Sequence, residues 1–272
     1  MKLSLTPGVT RSLEALAALA PQAEAYGYHG LWRAEGVAWD AFTVCALWAE
    51  RTTRLSLATG IVSAVTRDPG ALARAAVTVQ ELSRGRFRLG LGIGNNPEVP
   101  QPASPLGAME RVTAAVRAYW RDGLVPDTTQ PAPPIWFAAL RPKMVELAAR
   151  VADGVVLNWV TPDYVREVRR RVGAGYPIAC FVRGFAGTRA AALGALADNL
   201  TFYRRLPVYR KSLELQGLDP DNLSEAAAVG LVLCERADLA AWQAAGVDEL
   251  VVRPIGPDDA AVLAHLAPGP SR

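Results

Sequence analysis

Glycines stand at positions 90, 92 and 94 of the run LSRGRFRLGLGIGNNPEVP, residues 82–100, inside a segment whose alternation reads as a β-strand. A period of two puts these glycines on one face and Leu89, Leu91 and Ile93 on the other. A bare strand face lets another group come close to backbone, so the run raises the question of what comes so close. The dinucleotide fingerprint GxGxxG is not the answer: after Gly90 and Gly92 the third glycine is displaced, and the strand is the fourth rather than the first. A phosphate-cradling GxxxxGK is absent from the chain. Cys45, Cys180 and Cys234 form no CxxC and read as buried thiols, not as a zinc site or a disulfide framework. Lysine occurs only at 2, 143 and 211, none at the end of a strand facing a mouth, which disfavours Schiff-base chemistry. His29 and His265 read as structural.

The elements that must position these residues alternate between apolar β-type runs and helical Ala/Leu/Arg stretches. KLSLTP, YHGLWRAE, RLSLATGIV, FRLGLGIG, PIWFAAL, VVLNWV and YPIACFVR are read as seven strands, and ELVVRP as an eighth. Helices fall between them, with Ser12, Asp40 and Thr161 as N-caps and Pro69 in a first turn. A helical region from about 188 to 215 follows the seventh strand as an insertion, before the run AAVGLVL. The predicted fold is α/β, a single (β/α)8 TIM barrel over residues 1–272, with an open doubly wound sheet as the alternative. Barrel enzymes place their chemistry on the loops at the C-terminal ends of the strands. In a barrel the Leu/Ile face of the glycine strand meets the helices. The bare face then turns to the lumen, where either a flat ring lies close to it or neighbours such as Phe87 and Leu57 fill the space.

Composition narrows the function classes. With 51% hydrophobic residues the chain buries a sizeable core, and 29 Lys+Arg against 26 Asp+Glu leave +3 with no basic run, so nucleic acid is not an expected partner. No apolar run reaches the roughly 18 residues of a membrane span and the N-terminus has no signal-peptide pattern, so a cytoplasmic protein acting on a small molecule is expected.

Residues 52–94, TTRLSLATGIVSAVTRDPGALARAAVTVQELSRGRFRLGLGIG, resemble the bacterial luciferase-like flavin and deazaflavin oxidoreductase superfamily. GYHGLWRAE before them and PPIWFAALRPKMVELAARVADGVVLNWVTP after them resemble it too, so that most of residues 1–175 is covered. The motifs LATGI…TRDP and AALRPKM…ADGVVLNW are most similar to the branch that uses the deazaflavin coenzyme F420. The resemblance implies a luciferase-like barrel that transfers a hydride between reduced deazaflavin and a small organic substrate. An FMN-dependent monooxygenase is the first alternative, and a non-catalytic flavin-binding barrel the second.

The resemblance also implies site residues. A non-prolyl cis peptide behind the ring falls at Gly60–Ile61, after Thr59. Ala138, Ala139, Leu140 and Arg141 match the loop that holds the cofactor phosphate, which agrees with free N–H groups at a helix start and the added charge of Arg141 and Lys143. Asn158, closing the sixth strand, is expected at the phosphate or ribityl chain, and Gly94 and Asn95 at the ring edge; both asparagines also suit turns. Relatives that oxidise alcohols carry Asp-His where this chain has Glu35-Gly36, and Glu where it has Asn95. Glu35 is left as the candidate acid/base, or as a carboxylate bound by backbone amides, Arg33 or Arg67. Trp39 is read as a pocket wall or as core. The segment 97–134 is short for the family. Related barrels are often dimers, so a homodimer is expected, and FYRRLPVYRKSLEL has the amphipathic character of an interface or a lid.

Overall fold

The computed structural model describes residues 1–8, 12–36, 38–94, 99–123, 128–256 and 258–269. Eight parallel strands form a closed barrel: β1 (Lys2–Leu5), β2 (Gly30–Arg33), β3 (Ser56–Thr59), β4 (Phe87–Gly92), β5 (Ile135–Ala138), β6 (Gly154–Asn158), β7 (Ile178–Gly184) and β8 (Glu249–Pro254). Closure is made by β8, which pairs with β7 through Glu249 opposite Ala179 and with β1 through Glu249 opposite Lys2. Helices α1 (Leu13–Ala25), α2 (Ala41–Ala49), α3 (Pro69–Leu82), α4 (Pro105–Arg121), α5 (Pro142–Val151) and α6 (Pro162–Val172) return the chain between the first seven strands. The expected insertion after β7 is present as α7 (Arg189–Tyr203) and α8 (Pro207–Leu215). It is followed by α9 (Glu225–Val229), α10 (Leu239–Ala244) and, after β8, α11 (Asp259–His265).

Local sequence sets the helix starts. Ser12, Asp40, Asp68, Ser104, Thr161 and Thr188 each accept a hydrogen bond from the backbone N–H three residues on. Such caps stabilise a helix by about 1 kcal/mol each. Proline follows the cap at α3, α4 and α6, where its missing N–H costs nothing.

Strand alternation builds two apolar layers. Leu31, Leu57, Phe87, Leu89, Leu91, Phe137, Leu157 and Val182 face outward into the main core under the helices. Trp32, Ala58, Trp136, Val156, Ala179, Phe181 and Val251 face inward and fill the barrel. Beneath them Glu249, 2% exposed, accepts from Ser4 Oγ (2.6 Å), Trp32 Nε1 (2.7 Å) and both terminal nitrogens of Arg88 (2.5 and 3.0 Å). The Arg88 guanidinium lies 4.7 Å from the Trp32 ring centroid and 5.1 Å from that of Trp136. This ion pair closes the N-terminal end of the barrel, away from the strand ends where chemistry is expected.

Three elements differ from expectation. The third strand does not run through RLSLATGIV: it stops at Thr59 and resumes as a two-residue strand, Val62–Ser63, paired with Leu91 and Gly92, while the peptide between them, Gly60–Ile61, is cis as the resemblance implies. AAVGLVL is divided, its first half lying in α9 and its second forming the short strand Val232–Leu233 beside β7, because Ser224 caps a helix there. His29 precedes β2 instead of lying within it.

Candidate active site

The bare face of β4 is covered by the chain itself. A β-carbon built on Gly90 would lie 1.9 Å from the Thr59 carbonyl oxygen, and one on Gly92 would lie 2.9 Å from Ile61 Cδ1 and 3.1 Å from Ala138 Cβ. Thr59 Oγ1 donates to the Gly90 carbonyl (2.9 Å) and accepts from the Gly90 N–H (2.8 Å), locking the seam. Gly60 rests on Phe181 and Trp32, 2.6 and 3.1 Å from its built β-carbon. The answer to the question posed by the glycines is therefore the displaced end of β3. Phe87 and Leu57, expected as possible fillers, belong to the outer layer. Gly94, at φ +82°, lies at the exposed rim near Ser63 Oγ, 3.6 Å from its built β-carbon. Asn95 lies outside the described residues.

A carboxylate brackets this bulge from the side. The Glu35 N–H donates to the Ile61 carbonyl (3.0 Å), and its carboxylate accepts from the Ser63 N–H (2.8 Å) and from Arg67 Nε and Nη2 (2.8 and 2.5 Å). Arg67 Nη2 also reaches Asp40 (2.6 Å). Of the readings for Glu35, the geometry has the carboxylate bound by a backbone amide and Arg67; among the described residues Arg33 does not contact it. Trp39 is 37% exposed on the same segment, so it is not core.

On the next strand, Ala138 is half-buried against Ile61 and Gly92, and the buried Ala139 donates to the Val156 carbonyl (3.0 Å). The Leu140 carbonyl accepts from Tyr164 Oη (3.0 Å) and Ser212 Oγ (3.1 Å), which ties α8 to this loop. Arg141 occupies the N-cap of α5 without a side-chain cap bond, and both Arg141 and Lys143 are exposed. Such a start offers backbone donors to an anion.

Asn158, at the end of β6, donates from Nδ2 to Tyr209 Oη (3.0 Å) and accepts at Oδ1 from Arg183 Nη1 (2.7 Å). Arg183 is 1% exposed, lies 3.8 Å over the Trp159 ring, and donates from Nε to Asn199 Oδ1 (3.2 Å), while its Nη2 has no partner. Burial pushes its pKa down to about 10. Arg253 stands beside it in register on β8 and donates to Tyr203 Oη (3.3 Å). Burial alone would raise the Tyr203 pKa, but Arg183 and Arg253 outweigh it and hold the phenol below its ordinary value. Trp159 adopts φ +56°, an uncommon conformation outside glycine that concentrates at functional positions. The segment 202–215, read as interface or lid, brings Tyr203, Tyr209 and Ser212 onto the mouth.

Arg183, Arg253, Tyr203, Tyr209 and Asn199 were not anticipated. The signal was present for the arginines: YPIACFVRG and ELVVRP both end an apolar strand in arginine, and alternation places Arg183 on the inward face with Ala179 and Phe181. YHGLWRAE ends likewise, but Arg33 has the outward parity of Leu31 and is buried with no hydrogen-bond partner for its guanidinium. The three cysteines are buried and free, as expected. Among the described residues no cluster of His, Cys, Asp and Glu has the arrangement of a metal site, and no helix is long and apolar enough to cross a membrane.

An eight-stranded parallel barrel with its polar and cationic groups gathered at the C-terminal strand ends defines a TIM-barrel enzyme. The chain belongs to the luciferase-like monooxygenase family, whose profile it matches over residues 2–267, and it is an enzyme of that oxidoreductase class. A Mycobacterium tuberculosis protein provisionally named a coenzyme F420-dependent oxidoreductase is 27% identical over 311 aligned positions, covering 87% of this chain and 89% of that one. Two solved structures share the fold. An F420-dependent secondary alcohol dehydrogenase superposes with a TM-score of 0.80 at 13% identity, covering 100% of this chain and 99% of that one. The oxygenating constituent of a Pseudomonas putida diketocamphane monooxygenase in complex with FMN gives 0.73 at 16% identity, with 98% of each chain covered.

Proposed function

We propose that this chain is a deazaflavin-dependent oxidoreductase that moves a hydride between reduced coenzyme F420 and a small organic substrate, reducing a C=C, C=N or C=O bond. The observation that carries the reading is the convergence of Ile61, just past the end of β3, with Gly92 on β4 and Ala138 on β5 into one apolar floor at the barrel mouth. A flat heterocycle with an anionic tail fits such a surface. Apolar atoms accept the ring, and the start of α5 with Arg141 and Lys143 accepts the tail.

In this reading Thr59, Gly60 and Ile61 back the ring, Gly94 borders it, and Ala138, Ala139, Leu140 and Arg141 hold the phosphate. Asn158 turns from Tyr209 toward the ribityl chain. When bound, the coenzyme supplies the two-electron hydride chemistry, and the protein supplies orientation and electrostatics. Glu35 keeps the segment 61–67 in place through Ser63 and Arg67, as a positioning residue, and Trp39 walls the substrate side. The whole of residues 1–272 serves this one site as a single domain.

FMN is the second reading, favoured by the monooxygenase description of the family. Anaerobic titration of the protein with oxidised F420 and, separately, with FMN, followed by visible absorbance, tests both. Saturable one-to-one binding of F420 with weaker FMN binding is the expected result. A preference for FMN together with oxygen consumption on reduction would transfer the protein to the oxygenase reading, and no binding of either would end both.

A further inference from the structure

Two arginines occupy neighbouring strands at the same register in the barrel mouth, Arg183 on β7 and Arg253 on β8. Alternation aims both inward, since Ala179, Phe181 and Val251 on the same faces belong to the cluster that fills the barrel. Among the described residues neither pairs with a carboxylate: their partners are Asn158, Asn199 and Tyr203, all uncharged acceptors. Like charges side by side on adjacent strands are unfavourable, and a buried guanidinium, which cannot shed its proton, is costly without a counter-charge. At two other places the conflict is resolved within the protein: Arg88 is neutralised by Glu249 at the other end of the barrel and Arg67 by Glu35 and Asp40 at the rim. Arg33, with the outward parity of β2, is also buried without a hydrogen-bond partner but has no like-charged neighbour in register on an adjacent strand. At Arg183 and Arg253 the counter-charge is missing, and Arg183 Nη2 is buried with nothing to bond.

We propose that this pair is the subsite for an anionic group of the substrate, a carboxylate or an equivalent planar oxyanion, received by Arg183 and Arg253 with Tyr203 Oη as a further donor. The proposal rests on the reading of the mouth as the active site and adds the substrate class. The arginines lie on β7 and β8, two and three strands round from the Ala138–Arg141 loop on β5, so the coenzyme tail and the substrate anion occupy different sectors of the rim. Bidentate guanidinium–carboxylate bonds suit this geometry, and Trp159 beneath Arg183 holds the fork at 3.8 Å. Tyr203 and Asn199 come from α7, so the helical insertion completes the subsite.

Benzoate and its neutral isostere benzamide are the probes, titrated calorimetrically at constant ionic strength into the coenzyme-loaded protein and the coenzyme-free protein. The expected result is a preference for benzoate of about tenfold or more. Arg253→Met keeps the aliphatic stem, and should abolish that preference while coenzyme affinity, read by absorbance, changes by less than about twofold. Tyr203→Phe removes one hydroxyl and keeps the ring; it should weaken benzoate by about threefold or more and leave benzamide unchanged, which keeps the test available if the arginine variant fails to fold. Equal binding of the two probes, no binding of benzoate, or an unchanged preference in the variants would overturn the proposal. A parallel loss of coenzyme affinity in Arg253→Met would overturn it too, by assigning the arginines to the coenzyme. Failure of the chain to bind any flavin, with the benzoate preference intact, would instead remove the coenzyme reading and leave the anion subsite standing.

Discussion

The Thr59 carbonyl oxygen occupies the place a β-carbon on Gly90 would take, 1.9 Å from that position. Backbone of one strand thus lies directly against backbone of the next at the point where β3 leaves the regular ladder, with Thr59 Oγ1 bonded to both the N–H and the carbonyl of Gly90.

A side chain at Gly90 must therefore push the β3 end out of place. Gly90→Ala is expected to destabilise the protein by about 3 kcal/mol or more, above the usual range for overpacking because the obstacle is backbone. Gly194, inside α7 with nothing within 4 Å of its built β-carbon, is the control. Gly194→Ala is expected to stabilise by about 1 kcal/mol. Urea unfolding of both variants measures the contrast, and a Gly90→Ala protein as stable as the parent would contradict the packing described.

Glu249 at the barrel base provides an acid-dependent term. Burial alone would raise its pKa, but Arg88, Ser4 and Trp32 outweigh it and lower the carboxyl from 4.5 to about 2. A depressed folded-state pKa contributes stability that is present above 4.5 and is lost as the pH falls toward 2. Glu249→Gln leaves Arg88 without its counter-charge and is expected to cost about 3 kcal/mol at neutral pH. The variant should also lack the acid loss between pH 4.5 and 2 expected of the parent. Stability curves from pH 7 to 2 check the sign, and parallel curves would refute the assignment.

Glu35→Gln separates positioning from proton transfer. Gln retains an acceptor for the Ser63 N–H but loses the charge that pairs with Arg67. As a positioning change it should weaken coenzyme binding by about threefold to tenfold, with kcat and the shape of the pH–rate profile preserved. Disappearance of one limb of that profile would restore Glu35 to the role of acid or base.

The barrel was legible in the sequence because eight apolar runs alternate with helices whose caps and first-turn prolines are local signals, and Ser12, Asp40 and Thr161 cap as read. The break after Thr59 was legible only through resemblance, since nothing in RLSLATGIV announces where pairing stops. The glycine face is visible in the sequence but its occupant is not, because Thr59 and Gly90 are 31 residues apart and meet only where their strands lie side by side. Tyr203 and Tyr209 lie in an amphipathic run whose docking site is not written locally, because its place over the mouth is fixed by distant contacts such as Ser212 with Leu140, whereas Arg183 is marked by strand alternation but its partners Asn158 and Asn199 are not.

Hydrogen–deuterium exchange with and without F420 tests the central claim most directly, because it reports where the coenzyme lies. Protection on binding is predicted in peptides covering Thr59–Ala64 and Ala138–Met144, with none in the groove lined by Arg117, Arg121 and Pro134 on the far side of β5. Saturated binding that leaves the exchange of Thr59–Ala64 and Ala138–Met144 unchanged would contradict the account.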